Sequence, residues 1–134
     1  MADPVVLAKV ATIERCLARI RSTFRGDPAS LEQLDLQDVI VLNLVRACQA
    51  AIDVGMYMVA RDRLGLPDDR SSVFVLLREA KRIDPELCAL MEKMVGFRNV
   101  AVHEYQKIDR EILVRILRER LGDFEAFCAA LLHA

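Results

Sequence analysis

The sequence predicts an all-α protein, an up-and-down bundle of about five helices. Hydrophobic residues make up 54% of the 134 residues and charged residues 29%, a balance typical of a globular chain. Only five glycines and four prolines interrupt it, which leaves few turns. Apolar residues recur at the three- and four-residue spacing of an amphipathic helix. A chain of this length is expected to form a single domain over residues 1–134.

The first half of the chain contains two long helical patterns. The first runs from about residue 4 to 25 and is ended by Gly-Asp-Pro at 26–28. A short turn or helix at 29–34 leads to a second pattern over about 35–64, ended by Gly-Leu-Pro. This second helix is apolar around most of its circumference, so it is expected to be buried on several sides. In so small a chain, that favours both an internal core and a partner subunit.

Three shorter patterns complete the bundle. Ser71 or Ser72 is placed to cap a third helix that ends near Ile83. The pair Asp84-Pro85 predicts the start of a fourth helix, which extends to about Arg98 or beyond. Asp109 predicts the start of a fifth, and that helix ends near Leu132.

The sequence shows no pattern typical of a membrane segment, a signal peptide, or a zinc or disulfide site. Charge-free runs reach only about seven residues, whereas a spanning helix needs roughly 20, so no membrane segment is expected. Charges at positions 3, 9, 14 and 15 interrupt any signal-peptide core, which predicts a cytoplasmic protein. The four cysteines are widely spaced and form no C-x-x-C, so we expect buried free thiols rather than a zinc or disulfide site.

Arg98 stands out on the fourth helix. At about 100° per residue, it falls on the same stripe as Leu87, Met91 and Met94, which should face the core. A guanidinium there is unfavourable unless it is paired or faces a cleft. Arg98 therefore predicts either an internal salt bridge, a position just past the helix end, or a site for an anion.

Residues 98–105 read Arg-Asn-Val-Ala-Val-His-Glu-Tyr. Arg98 offers planar, multi-donor recognition of phosphate, and His103 can exchange protons near neutral pH. On a continuous helix the two would lie about 140° apart. They can then cooperate only if the helix ends or distorts between them, or if a second subunit supplies one of them. The net charge of −1 counts mildly against non-specific nucleic-acid binding, so any nuclease activity must depend on a local site.

This string resembles the signature of HEPN ribonucleases, in which Arg and a polar residue precede His, and Tyr follows two residues later. Further similarity to the HepT-like branch lies in Met94-Val95-Gly96-Phe97 before the motif, Ile108-Asp109 after it, the alanine-rich stretch 47–53 and Gly65-Leu66-Pro67. The resemblance covers roughly residues 31–132. It implies a HEPN-type bundle and a single HepT-like domain.

The resemblance also implies a function. HepT-like proteins are homodimeric toxins that cleave RNA without a metal ion or other cofactor. Arg98 would hold the scissile phosphate, His103 would act as general acid or base, and Asn99 would orient the site. In-line cleavage requires an acid and a base, and a two-fold dimer would supply two copies of His103.

Tyr105 would be the point of control. In this branch the partner is a nucleotidyltransferase antitoxin that attaches AMP to the motif tyrosine. The added bulk and negative charge would occupy the place of the RNA phosphate. The structural alternative is a packed ring with a hydrogen-bonded hydroxyl, and both roles can hold together.

Two weaker groups of polar residues have competing interpretations. Asn43, Arg46, Asp53 and Tyr57 lie within about 80° on the second helix. Asp53 or Arg46 would support the motif groups in a cleft wall, although internal pairing is the favoured interpretation. Arginines 110, 115, 118 and 120 could bind RNA backbone, but they alternate with acidic residues, so a solvated face is favoured. His133, near the C-terminus, is expected to be inert.

Two rival functions remain open from the sequence. A non-catalytic HEPN module would bind nucleotide or nucleic acid, or act as a scaffold, without depending on His103. A purely structural helical adaptor would use Arg98 in a core ion pair.

Overall fold

The computed structural model describes residues 3–133, whose secondary-structure elements are all helical, with no strand. The elements are α1 Pro4–Phe24, a 3₁₀ turn Pro28–Glu32, α2 Leu34–Arg61, α3 Ser72–Glu79, α4 Pro85–His103, a 3₁₀ turn Tyr105–Lys107, α5 Arg110–Arg115, a π-helical segment Ile116–Arg120 and α6 Leu121–Leu132. The π segment joins α5 to α6 without a break, so these three form the predicted fifth helix. The all-α prediction is confirmed.

Aspartates define three helix starts. The carboxylates of Asp3, Asp84 and Asp109 each accept a hydrogen bond from a backbone N–H in the first turn of α1, α4 and α5. Proline follows the first two directly, where its missing N–H costs no helical bond. The starts predicted at Asp84 and Asp109 are therefore confirmed.

The start of α3 differs from the prediction. Ser71 occupies the N-cap position but makes no capping hydrogen bond through its side chain. Instead, the Asp69 carboxylate accepts from the Ser72 backbone N–H at 2.9 Å, and the Ser72 hydroxyl donates to the Asp69 carbonyl. The prediction of a serine cap was wrong, because the Asp69 carboxylate accepts the hydrogen bond from the Ser72 backbone N–H.

Two helices end earlier than predicted. Helix α2 stops at Arg61 and α3 at Glu79, three and four residues before the predicted ends. Arg63 (φ 53°) and Lys81 (φ 60°) adopt the left-handed conformation. The next residues then donate back to carbonyls five positions earlier, at 2.9 Å and 2.8 Å, which is the Schellman arrangement. Basic residues therefore occupy a position where glycine is the usual signal.

Helix α2 is the centre of the bundle. It packs against α1, α3, α4 and α6, and residues such as Ile40, Leu44 and Val54 are fully buried. An 18-residue window of it has a mean hydropathy of 1.5, long and apolar enough by composition to cross a membrane, but 56% of that window is buried inside the bundle. That composition is the one expected of a core helix. All four cysteines are free and buried, as predicted.

Gly55 allows α2 and α3 to approach closely. A Cβ atom placed on it would lie 2.5 Å from Cγ1 of Val73, which is buried and β-branched and so has little rotamer freedom. We expect Gly55→Ala to destabilise the fold by about 1–3 kcal/mol through overpacking, despite the better helix propensity of alanine. Urea unfolding measures this change.

Two further variants make that expectation specific. Gly122→Ala introduces a Cβ with nothing within 4 Å, so it should be neutral or stabilising by up to about 1 kcal/mol. Gly55→Ala combined with Val73→Ala should lose less stability than the sum of the two single changes, since the clash is removed. Simple additivity in this cycle would contradict the close-approach explanation.

Candidate functional site

Helix α4 carries the motif without interruption to its last residue, His103. The Glu104 backbone N–H still donates to the Val100 carbonyl at 2.8 Å, so the helical pattern holds from Arg98 to His103. At about 100° per residue, Arg98 and His103 lie about 140° apart around the axis. Arg98 is half-buried and His103 is exposed. Within one chain the two side chains therefore leave the helix in different directions.

Within the described residues, the Arg98 guanidinium has no counter-ion. Its Nη1 donates to Oδ1 of the neighbouring Asn99 at 3.0 Å. Its Nε is buried and has no hydrogen-bond partner within residues 3–133, and no carboxylate of that range lies within salt-bridge distance. The structure therefore does not contain the internal salt bridge that was one interpretation of Arg98. A half-buried cation without an acidic partner is suited to hold an anion.

Helices α2 and α4 run antiparallel beside the motif. The Cys48 thiol of α2 donates to the Met94 carbonyl of α4 at 3.7 Å, and farther along the same pair of helices Asp38 meets Tyr105. Burial raises the pKa of Cys48 to about 12, against an opposing effect of the nearby Arg98 charge. Cys48 is thus a neutral packing group, and Arg98 lies against the middle of α2.

Tyr105 begins the 3₁₀ turn that follows α4. Its ring packs against the core, and its hydroxyl donates to Oδ1 of Asp38 at 2.5 Å. The Tyr105 hydroxyl oxygen also accepts a hydrogen bond from Nε2 of Gln37 at 3.3 Å. Burial, followed by the hydrogen bond to Asp38, raises the pKa of Tyr105 above its ordinary value. Gln37 and Asp38 were missed by the sequence analysis, since their partner lies 68 and 67 residues away.

The polar strip on α2 divides between several partners. Asp53 accepts from Gln49 at 2.8 Å and pairs with Lys9 of α1 at 3.5 Å. Tyr57 donates to Asp3, and the Asn43 side chain donates to a carbonyl of its own helix. The hydrogen bonds of Asp53 are therefore internal and do not include a motif residue. Arg46 is exposed.

The arginines of the fifth helix lie on a solvated face. Arg110, Arg115 and Arg118 are exposed, and Arg115 lies 4.0 Å from Glu119. Arg120 lies 3.7 Å from Asp123. A groove of about 860 Å³ separates this helix from α4, with Phe97, Val100 and Ile112 among its apolar lining residues.

The site can therefore offer three kinds of chemistry: a cation at Arg98, an exposed imidazole at His103 and a positioned hydroxyl at Tyr105. Among residues 3–133, no three His, Cys, Asp or Glu side chains are grouped so that they could hold a metal ion. His133, the other histidine, is exposed at the end of α6, away from the motif sequence.

Comparison with known proteins shows which family and which structures this chain is similar to. The Ribonuclease HepT-like family matches residues 13–131. The chain is 39% identical over 126 residues to the mRNA nuclease HepT of Shewanella oneidensis, which covers 93% of this chain and 94% of that protein. It is similar to the tri-AMPylated Shewanella oneidensis HEPN toxin in complex with MNT antitoxin, with a TM-score of 0.93, 36% identity, and 98% and 99% of the two chains covered. A toxin–antitoxin crystal structure with AMP-PNP gives a TM-score of 0.94 at 35% identity, with 98% and 100% covered.

Proposed function

The chain belongs to the HepT-like ribonuclease family, and we propose that it is an endoribonuclease toxin of a toxin–antitoxin pair. The observation that carries this proposal is the half-buried Arg98, which has no carboxylate partner in the part of the chain that the structure describes, five residues before an exposed His103. The mRNA nuclease HepT of Shewanella, 39% identical, supports the assignment of RNA as substrate. We propose one HepT-like domain over residues 1–134, acting in the cytoplasm.

The proposed reaction is in-line attack of an RNA 2′-hydroxyl on the adjacent phosphorus. The Arg98 guanidinium neutralises the phosphate oxygens, where planar donors match the charge that develops. The His103 imidazole of one subunit takes the proton of the 2′-hydroxyl. The His103 imidazole of a second subunit gives a proton to the leaving 5′-oxygen. Asn99 holds Arg98 through the 3.0 Å hydrogen bond to Nη1.

Two subunits are proposed to form one cleft. Because α4 is continuous, Arg98 and His103 of one chain lie on different sides of the helix, so a second copy must complete the site. Leu42 of α2 and Val102 of α4 are 49% and 47% exposed, at similar levels along the antiparallel helices. Val102 is itself part of the motif, and both exposed apolar side chains are suited to cover by a second subunit.

Arg46 and Asp53 are proposed to support the site in different ways. Arg46 is exposed on α2, where it would add positive charge for RNA. Asp53 acts indirectly, since its salt bridge to Lys9 holds α1 against α2.

Tyr105 is proposed to be the site at which a nucleotidyltransferase antitoxin attaches AMP. Its hydroxyl lies beside α2, and the residue itself comes two positions after the end of α4. The AMPylated state and MNT partner of the similar Shewanella toxin support this assignment. A phosphodiester at this point adds negative charge beside the place proposed for the RNA phosphate.

Cleavage in the presence of a chelator tests the proposed chemistry. Arg98 and His103 supply charge and proton transfer by themselves, so the purified chain should cleave RNA equally fast in EDTA and in Mg²⁺. Cleavage is measured on a labelled RNA by gel, with a metal-dependent ribonuclease as the control for chelation. Activity that stops in EDTA and returns with Mg²⁺ would contradict the metal-independent mechanism, while absence of cleavage in both would favour a binding module.

A further inference from the structure

The Tyr105 hydroxyl is held by two adjacent residues of α2. It donates to the Asp38 carboxylate at 2.5 Å and accepts from the Gln37 amide at 3.3 Å. Asp38 is exposed and Tyr105 is half-buried, so the bonded pair sits at an open edge of the protein. The protein thus holds the phenol oxygen through two hydrogen bonds, while that oxygen stays accessible from outside the protein.

A second tyrosine–aspartate pair provides an internal comparison. Tyr57 donates to Asp3, but that carboxylate also accepts from the Arg61 guanidinium at 3.2 Å and from a backbone N–H. These bonds lower the pKa of Asp3, with the hydrogen bond from Tyr57 as the largest cause, so its carboxylate is a poor proton acceptor. Within residues 3–133, Asp38 has no cation and no hydrogen-bond donor other than Tyr105. The Asp38 carboxylate is therefore free of the additional bonds from a guanidinium and a backbone N–H that Asp3 makes.

We propose that Asp38 is the general base for the nucleotidylation of Tyr105, so that the toxin itself supplies the proton acceptor for its own inactivation. This inference rests on the proposed function, in which Tyr105 receives a nucleotidyl group. The phenol oxygen attacks the α-phosphorus of a nucleoside triphosphate bound by the partner. The Oη–P bond forms, the bond from that phosphorus to the bridging oxygen breaks, and pyrophosphate leaves with the electron pair. The Tyr105 proton passes to Oδ1 of Asp38.

The state of Tyr105 makes such a base necessary. Because burial and the Asp38 hydrogen bond raise its pKa, the phenol is protonated at neutral pH and is a weak nucleophile until the proton is removed. A carboxylate already within hydrogen-bond distance can take that proton as the new bond forms.

Gln37 completes the arrangement as a positioning residue. A phenol oxygen has one proton and two lone pairs. The proton is directed to Asp38 and one lone pair is engaged by the Gln37 amide, which leaves the second lone pair free to attack phosphorus.

The rate at which AMP is transferred to the Asp38→Asn variant tests the proposal. The purified chain is incubated with excess MNT antitoxin of the Shewanella relative, ATP and Mg²⁺, and the first added AMP is followed by intact mass. Asp38→Asn should slow the first transfer by about 100-fold or more, since general base catalysis contributes 10²- to 10⁴-fold. The control variant Asp35→Asn changes an exposed aspartate in the first turn of the same helix, and it should receive AMP at the wild-type rate.

Two results separate failure of this inference from failure of the proposed function. If Asp38→Asn is modified at the wild-type rate while Tyr105→Phe is not modified, Asp38 is not the base although Tyr105 is the acceptor. If Tyr105→Phe gains AMP as fast as the wild type, Tyr105 is not the acceptor, and the proposed modification falls together with the role of Asp38.

The pH dependence distinguishes a base from a structural support. In the wild type the rate should change little from about pH 6 to 9, because a proton acceptor within hydrogen-bond distance makes hydroxide unnecessary. In Asp38→Asn, hydroxide must remove the proton, so the rate should rise about tenfold per pH unit. Parallel profiles for the two proteins would overturn the proposal.

A titration without the antitoxin checks the hydrogen bond in solution. In a Tyr57→Phe background Tyr105 is the one remaining tyrosine, and the chain has no tryptophan, so ultraviolet absorbance reports its ionisation. Asp38→Asn should lower the pKa of Tyr105 towards its ordinary value, because the negative charge that raises it is removed. An unchanged titration would show that the Asp38 contact is absent in solution and would overturn the proposal.

Discussion

Replacement of His103 by alanine is expected to abolish RNA cleavage, with a loss of about 10²- to 10⁴-fold for each proton transfer that it serves. His103 is exposed at the last position of α4, so its removal should change the free energy of unfolding by no more than about 0.5 kcal/mol. Gel-based cleavage of a labelled RNA measures the activity, and urea unfolding shows that the fold is retained. Expression of the variant without a partner should also leave growth unaffected.

The chain offers a matched control for this variant. His133 is the other histidine, exposed after the end of α6 and outside the motif. His133→Ala should cleave RNA at the wild-type rate. Equal activity of His103→Ala and the wild type would contradict the enzyme proposal and favour a non-catalytic HEPN module.

Mixed dimers extend the test to the two-subunit cleft. If both copies of His103 are required, as acid and as base, one defective subunit inactivates the dimer. In an equimolar random mixture of wild-type and His103→Ala subunits, about a quarter of the dimers are then active, whereas independent subunits would retain about half of the activity. Co-expression with two different affinity tags isolates the mixed dimer directly. A mixed dimer with half of the wild-type activity would show that each site uses one histidine.

Two helix starts could be predicted from sequence in detail, and the ends of α2 and α3 could not. Starts at Asp84-Pro85 and Asp109 depend on local chemistry, since the capping bond is made within three residues. The early ends of α2 and α3 depend on Arg63 and Lys81 in the left-handed conformation, which carries an energetic penalty for a non-glycine residue. Leu64 and Ile83, just after these positions, pack against or within the core, and this tertiary contact selects the turn. The π segment in the fifth helix likewise had no local signal in the sequence.

The site shows the same division between local and distant information. Arg98, Asn99, His103 and Tyr105 were found because they lie within eight residues in a family motif. Asp38 and Gln37 were missed because they meet Tyr105 only when α2 packs antiparallel to α4. The burial pattern of the methionine stripe predicted where Arg98 faces, but its lack of a carboxylate partner depends on which side chains the other helices present. Periodicity gives the direction of a side chain and not the identity of its neighbour.

Tyr105→Phe is expected to separate toxicity from neutralisation. The ring remains to pack against the core, and the hydroxyl has no part in the proposed cleavage, so the variant should cleave RNA at close to the wild-type rate. It lacks the oxygen that receives AMP. Cells that express it together with the nucleotidyltransferase antitoxin should therefore stay arrested, whereas cells with the wild-type pair should grow. Colony counts and intact mass of the purified chain measure the two effects.

The physical reason is the charge that modification adds. Each attached AMP brings a phosphodiester with about one negative charge, next to the surface where Arg98 is proposed to hold RNA phosphate. Repulsion and bulk then exclude the substrate, and a chain without the acceptor oxygen escapes both. Tyr57→Phe is the matched control, because that hydroxyl is bonded to Asp3 at the far end of α2 and should have no effect on neutralisation. If the antitoxin neutralises Tyr105→Phe as completely as the wild type, then binding of the antitoxin and not the covalent group blocks the cleft.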